Sequence, residues 1–144
     1  LNELLDYQYV VCELCGEKYA IKINEVYEII RFKKITYLHN SKSYLEGIIN
    51  LRGKIVPVIN VHRILGLEDY SDTKSTRIVI LRFNDELVGT IVDRVIQVTK
   101  FSDIQPTPEA VDEINGNYFE GLGITQDGEV IAIMKIDKLL NAEY

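Results

Sequence analysis

Several side chains in this chain are of kinds that do chemistry. Cys12 and Cys15 form a Cys-x-x-Cys pair, the spacing of a dithiol couple or of half a zinc site. A redox pair wants a helix N-terminus to lower its thiol pKa, whereas both flanks here read as strands. A structural zinc wants four ligands, and the sequence has no second such pair. The two histidines, His39 and His62, lie far along the chain, the first in a polar loop and the second where a short helix begins. His62 is expected on a solvent-facing first turn. Glu46 and Glu120 each precede a glycine, Gly47 and Gly121. Paired carboxylates can work as acid and base, but matching positions before a glycine favour a role in the fold. No Ser/His/Asp or Cys/His set has a spacing that suggests catalysis. No cofactor is implied.

The elements that must position these residues come in two copies. Tyr44 to Gly66, YLEGIINLRGKIVPVINVHRILG, recurs in degraded form as YFEGLGITQDGEVIAIMKIDKLLN, Tyr118 to Asn141, with one extra residue. Upstream, Tyr9 to Ile29 pairs with Ile78 to Val98 at a constant shift of 69 positions. Within the repeat Cys12 matches Leu81, an apolar strand position, and Cys15 matches Asn84, a turn position. Where the copies differ, the first carries charge: Glu28 stands against Gln97, and Arg52 against Asp127 or Gln126. Simple alternation places Val26, Glu28 and Ile30 on one strand face, a charge between two apolar side chains. Such a face suits a protein contact, where apolar surface binds and a charge fixes register.

Period-two alternation dominates, so the chain reads as mainly β. Strands are expected over Gln8–Leu14, Tyr19–Ile23, Val26–Phe32, Gly47–Leu51, Ile55–Ile59, Arg77–Phe83, Leu87–Lys100, Phe119–Thr125 and Val130–Lys135. A bent segment at Asn24–Glu25 leads into the third. Arg52–Gly53 and Asp127–Gly128 each read as a two-residue hairpin turn. Asn60 caps a helix over Val61–Leu65 that Gly66 ends, and Asp137 and Asn141 stand in similar positions in the second copy. Pro57 within a strand marks an edge or a bulge. Five strands per half suggest two small barrels around a shared core: residues 1–67 for the first, a polar linker at 68–75, and 76–144 for the second.

Composition narrows the function classes. With 47% hydrophobic and 26% charged residues and a mean hydropathy of -0.01, the chain is of ordinary globular make-up. A net charge of -6 with scattered cations, the densest run being Arg31, Lys33 and Lys34, disfavours nucleic acid. No apolar run reaches the roughly 20 residues that span a bilayer, so no direct membrane insertion is expected. Two cysteines fit a cytoplasmic setting.

The stretch Gly47-Ile48-Ile49-Asn50-Leu51-Arg52-Gly53 before Ile55-Val56-Pro57-Val58-Ile59 and Leu65-Gly66 resembles the signature of the CheW family of bacterial chemotaxis adaptors. Tyr19-Ala20-Ile21, Val26-Tyr27-Glu28-Ile29-Ile30-Arg31 and Gly89, Val92, Asp93 and Val95 agree with it, and the similarity runs from about Tyr7 to Leu140. The resemblance implies two SH3-like barrels and a non-enzymatic scaffold. It would couple the cytoplasmic tips of chemoreceptors to the regulatory domain of the histidine kinase CheA, within membrane-associated arrays. It implies receptor contacts at Val26, Glu28 and Arg52, joined by Ile30 on the same face and by Val95, the repeat partner of Val26. The kinase-facing surface is expected around Tyr44 and Gly53. Two other readings stay open: a CheW-like domain of a larger protein, such as CheV or the CheA regulatory domain, and a thiol or metal protein using Cys12 and Cys15.

Overall fold

The computed structural model describes residues 2–38, 44–115 and 117–141. Its strands are β1 (Tyr9–Leu14), β2 (Glu17–Lys22), β3 (Val26–Arg31), β4 (Leu45–Leu51), β5 (Lys54–Ile59), β6 (Arg77–Phe83), β7 (Glu86–Val92), β8 (Arg94–Thr99), β9 (Asp103–Gln105), β10 (Phe119–Ile124) and β11 (Val130–Met134). Three short helices, α1 (Val61–Ile64), α2 (Glu109–Asn115) and α3 (Ile136–Asn141), lie between and after them. The expected run Leu87–Lys100 is divided at Asp93 into β7 and β8, and α2 and β9 had no expected counterpart.

Turn chemistry sets the hairpins. Arg52 and Gly53, with φ of 51° and 89°, both occupy the left-handed region that a two-residue turn between right-twisted strands demands. Asn50 locks that turn by accepting the Gly53 N–H on its side-chain oxygen at 2.6 Å. The second copy departs from the expected two-residue turn. Its extra residue makes a three-residue loop, Gln126 to Gly128, closed by Gly128 N–H to the Thr125 carbonyl (2.9 Å) and Thr125 N–H to that of Glu129 (3.0 Å). Only Gly128 in this loop is left-handed, at φ 84°.

The strands form two sheets, ordered β8-β1-β2-β11-β10-β9 and β3-β6-β7-β5-β4. Applying the repeat, the second order maps strand for strand onto the first, with β9 as a sixth member. The parallel pairs match as well, β5 with β7 and β11 with β2. Each sheet closes on itself in the same way: Thr36 bridges Ile48, as Gln105 of β9 pairs Leu122.

The halves of the chain, however, are not the barrels. One barrel is the contiguous segment from β3 to β7, here the central barrel. The other, the terminal barrel, joins β1 and β2 to β8 through β11. The divisions expected at 1–67 and 76–144 therefore cut through both, and residues 68–75 connect α1 to β6 within the central barrel. The cause lies in the links between β2 and β3 and between β7 and β8. The first is a 3-10 turn, Ile23–Glu25, and the second is Asp93 alone. Neither holds a residue in the left-handed region that favours a two-residue hairpin, and at both the chain crosses to the other sheet.

Pro57 is reconciled by register. β5 is internal, between β7 and β4, yet it pairs with β7 only at Val58 and Ile59. Ile48, opposite Pro57, spends its N–H and carbonyl on Thr36 at 2.9 Å each, so the donor that Pro57 lacks has no ladder to serve. Asn60 caps α1, its side-chain oxygen accepting the Arg63 N–H at 3.1 Å, and Gly66 follows at φ 71°. In the second copy α3 starts at Ile136, so Asp137 lies in its first turn and Asn141 is its last residue; neither stands at the expected cap position.

Burial follows alternation. Ile78, Ile80 and Val56 fill the central barrel, while Tyr9, Val11 and Ile133 fill the terminal one. Between the barrels lies a third cluster, with Cys12, Leu14 and Ile21 from one sheet, Val79, Leu81 and Val88 from the other, and α1 and α3 around them. A fully buried Leu or Ile contributes about 1.5–3 kcal/mol relative to exposure, so parting the barrels would forfeit several such terms.

Candidate functional site

The charged pair that the sequence singles out meets in space. Arg52, at the tip of the β4–β5 hairpin, donates from both terminal nitrogens to Glu28 of β3, at 2.5 and 3.1 Å. β3 and β4 are opposite edges of the central sheet, so this fork spans the mouth of the barrel. The hydrogen bond and charge of Arg52 hold the Glu28 carboxyl below its ordinary pKa, and Glu28 raises that of Arg52. With 63% of the Arg52 side chain and 32% of that of Glu28 exposed, water screens the pair and it adds little stability. Its value is positional: a planar, two-point charge display at a fixed place.

Val26 and Ile30 do not share a face. The pairing shifts register between Val26, opposite Leu81, and Glu28, opposite Ile80, leaving Tyr27 as an extra residue. Such a bulge breaks alternation. Val26 thus packs against the inter-barrel cluster, whereas Ile30 packs into the central barrel. Val95 on β8 makes the matching shift opposite Cys12 and also packs against the inter-barrel cluster. Val26 and Val95 therefore flank one core from two barrels. Beside them Tyr27 (46% exposed) and Ile29 (37%) offer apolar surface. Arg82 covers the Tyr27 ring at 5.2 Å and donates to the Asn24 and Val26 carbonyls, fixing the start of β3.

The remaining signature residues shape the hairpin. A side chain at Gly47 would overlap the carbonyl of Thr36, the residue whose bridge to Ile48 closes the barrel. Asn50 holds Gly53, and its own carbonyl accepts from Lys33 at 2.5 Å. Tyr44 and Gly53 do not form one patch. They lie beyond opposite ends of β4, roughly 24 Å apart along an extended strand. Tyr44 packs against the inter-barrel cluster; Gly53 stands at the barrel mouth.

Sequence reasoning misplaced His62. It is fully buried, with Nε2 2.9 Å from Asp93 Oδ1, while Asp93 Oδ2 accepts the Cys15 N–H at 2.6 Å. The pair ties α1 to the point where the chain changes sheets. Glu46 is also buried. It takes the Tyr70 hydroxyl at 2.6 Å and Arg63 at 2.9 Å, and Arg63 reaches Asp69 at 3.1 Å. Burial, then the bond to Glu46, pushes the Tyr70 pKa up. Residues 68–75 are thereby fastened down. Glu120 pairs with Lys22 at 3.2 Å, so the two repeat-related acids serve separate barrels and separate cations.

Cys12 is buried between the barrels, its thiol pushed up to about 12 by burial, while Cys15 is exposed at a turn. Among the described residues no group of three or more His, Cys, Asp or Glu side chains is placed to hold a metal. His39 lies outside the described residues. No described helix is long and apolar enough to cross a membrane. One group had no signal in the sequence: Glu25, in the β2–β3 link, has a buried Oε1 without a hydrogen-bond partner. Burial lifts its pKa to about 7; Lys22 opposes the shift, and Glu120 and Asp137 add to it.

Comparison with known proteins agrees with this geometry. The CheW-like domain model matches residues 8–144. The chain is 31% identical to the chemotaxis protein CheW of Thermotoga maritima, over 96% of this chain and 91% of that one. It is 32% identical to CheW of Bacillus subtilis, over 93% and 86%. The crystal structure of the scaffolding protein TtCheW from Thermoanaerobacter tengcongensis superposes with a TM-score of 0.85 at 34% identity, covering 94% of this chain and 88% of that one. Signature, nested barrels and superposition converge: this chain belongs to the CheW-like domain family, the non-enzymatic adaptors of chemotaxis signalling.

Proposed function

We propose that this protein links the cytoplasmic tips of chemoreceptors to the regulatory domain of the histidine kinase CheA, at membrane-associated arrays in the cytoplasm. It changes no bond. A helical receptor tip lies along β3, between the barrels, where Val26 and Val95 border the shared core and Tyr27 and Ile29 add exposed apolar area. The Glu28–Arg52 fork sets its register. The kinase domain docks end-on at the barrel mouth around Gly53. Receptor state reaches the kinase through contacts that differ between its conformations, which is the way a bound partner shifts an equilibrium.

The observation that carries this reading is the bidentate Glu28–Arg52 pair. It contributes little to the fold, and the second copy has no equivalent. Glu28→Lys and Arg52→Glu are expected to leave the thermal midpoint nearly unchanged and to weaken binding of a receptor signalling tip from the same organism, read by calorimetry. Parent-like binding by both variants would refute the site. Co-purification with that tip and CheA tests the adaptor role itself.

A further inference from the structure

Beyond Glu28, β3 ends at Arg31, which stands directly opposite Arg77 on β6. Like charges facing each other across an antiparallel pair repel. Among the described residues no carboxylate lies within ion-pair distance of Arg31, Arg77 or Lys74. Arg77 is oriented instead by the carbonyls of Lys74 and Thr76, at 2.8 and 3.0 Å. Around these cations opens a cleft of about 440 Å³, walled by Phe32 and Thr73 and with Asp72 as its one acid. In a chain of net charge -6, this is a local reversal of sign.

The cleft is built for carboxylates rather than for a phosphate gripped by backbone. Three of the loop's amides are spent internally: Thr73 N–H goes to the Thr76 hydroxyl, Ser75 N–H to that of Thr73, and Thr76 N–H to the Thr73 carbonyl. The cationic groups that line the cleft are guanidinium and ammonium, which suit carboxylates on a chain laid across them. Arg31 shares the strand face of exposed Ile29, two residues and roughly 7 Å beyond it, or a little over one turn of a helix lying beside it.

We propose that the cleft of Arg31, Lys74 and Arg77 receives an acidic stretch of the polypeptide that docks along β3, about one helical turn beyond the part that meets Ile29. The inference rests on the docking reading above and adds the partner's chemistry. Arg31→Glu turns the facing pair into opposite charges, so the variant should melt no lower than the parent. Its affinity for a purified receptor signalling tip should nonetheless fall about tenfold at low salt, with a flatter salt dependence. Lys74→Glu, outside the sheet, should lose affinity in the same direction. If both variants bind the tip as the parent does at low and high salt, the assignment is overturned. Glu28→Lys, run alongside, separates the cases: if it still loses binding, docking along β3 stands without the acidic segment. If it too binds unchanged, the docking reading falls and takes this inference with it.

Discussion

At the mouth of the central barrel, Arg52 sits on a two-residue turn and reaches across to Glu28. At the matching mouth of the terminal barrel, Gln126 to Gly128 form a longer loop, and the neighbouring strand offers Gln97 where Glu28 would be. Sheet order, bulges and closing bridges are common to both. At the two mouths, the charged side chains that differ are ones that the fold does not need. A duplicated scaffold holds its interior and frees its rims, so a recognition surface is best sought where the copies disagree.

Four experiments can break or sharpen that comparison. The largest effect is expected in the shared core. Leu81→Ala should destabilise the protein by about 2–5 kcal/mol in urea unfolding, whereas its repeat partner, Cys12→Ala, should lose only about 1 kcal/mol because less volume is removed. Next, Gly47→Ala drives a methyl group into the fixed backbone of Thr36 and should lose about 1–3 kcal/mol. Gly121→Ala, whose Cβ would sit 3.1 Å from the Gln105 carbonyl, should lose less.

The third concerns the two links between barrels. Glu25 in one is half-buried, with a pKa raised to about 7, while its repeat partner Arg94 is exposed at the start of β8, just past the other. A carboxyl whose folded pKa exceeds its unfolded one stabilises fully below the unfolded value, near 4.5, and that contribution fades as pH rises through about 7. Relative to Glu25→Gln, the parent should therefore lose about 1–2 kcal/mol between these limits, after allowance for solvent screening. Parallel stability curves across that range would refute it. The smallest effect is a transplant. Gln97→Glu with Asp127→Arg supplies the terminal barrel with the two charges of the fork and should leave the unfolding midpoint unmoved.

Much of the architecture was open to inspection of the sequence, because alternation and turn residues are local. Arg77–Phe83 as a strand, Asn60 as a cap and Arg52–Gly53 as a tight turn each follow from neighbouring residues. Which hairpin joins which sheet is not local, and equivalent hairpins look alike, so the nesting was missed. The bulge at Tyr27 escaped for a related reason: an inserted aromatic does not spoil an apolar run, yet it sends Val26 and Ile30 to different cores. His62 was misjudged since its partner, Asp93, is 31 positions away. At the candidate site Glu28 and Arg52 were legible through the failed repeat. The cationic cleft was not, because Arg77 and Lys74 come from a different stretch of chain than Arg31.

Among the described residues, the polypeptide passes from one barrel to the other only at Ile23–Glu25 and at Asp93. Two short links and the buried cluster between the barrels, rather than a long tether, thus join the lobes. Any load that a partner places on one lobe is therefore expected to turn both lobes together, since the shared cluster would have to part before they could move separately.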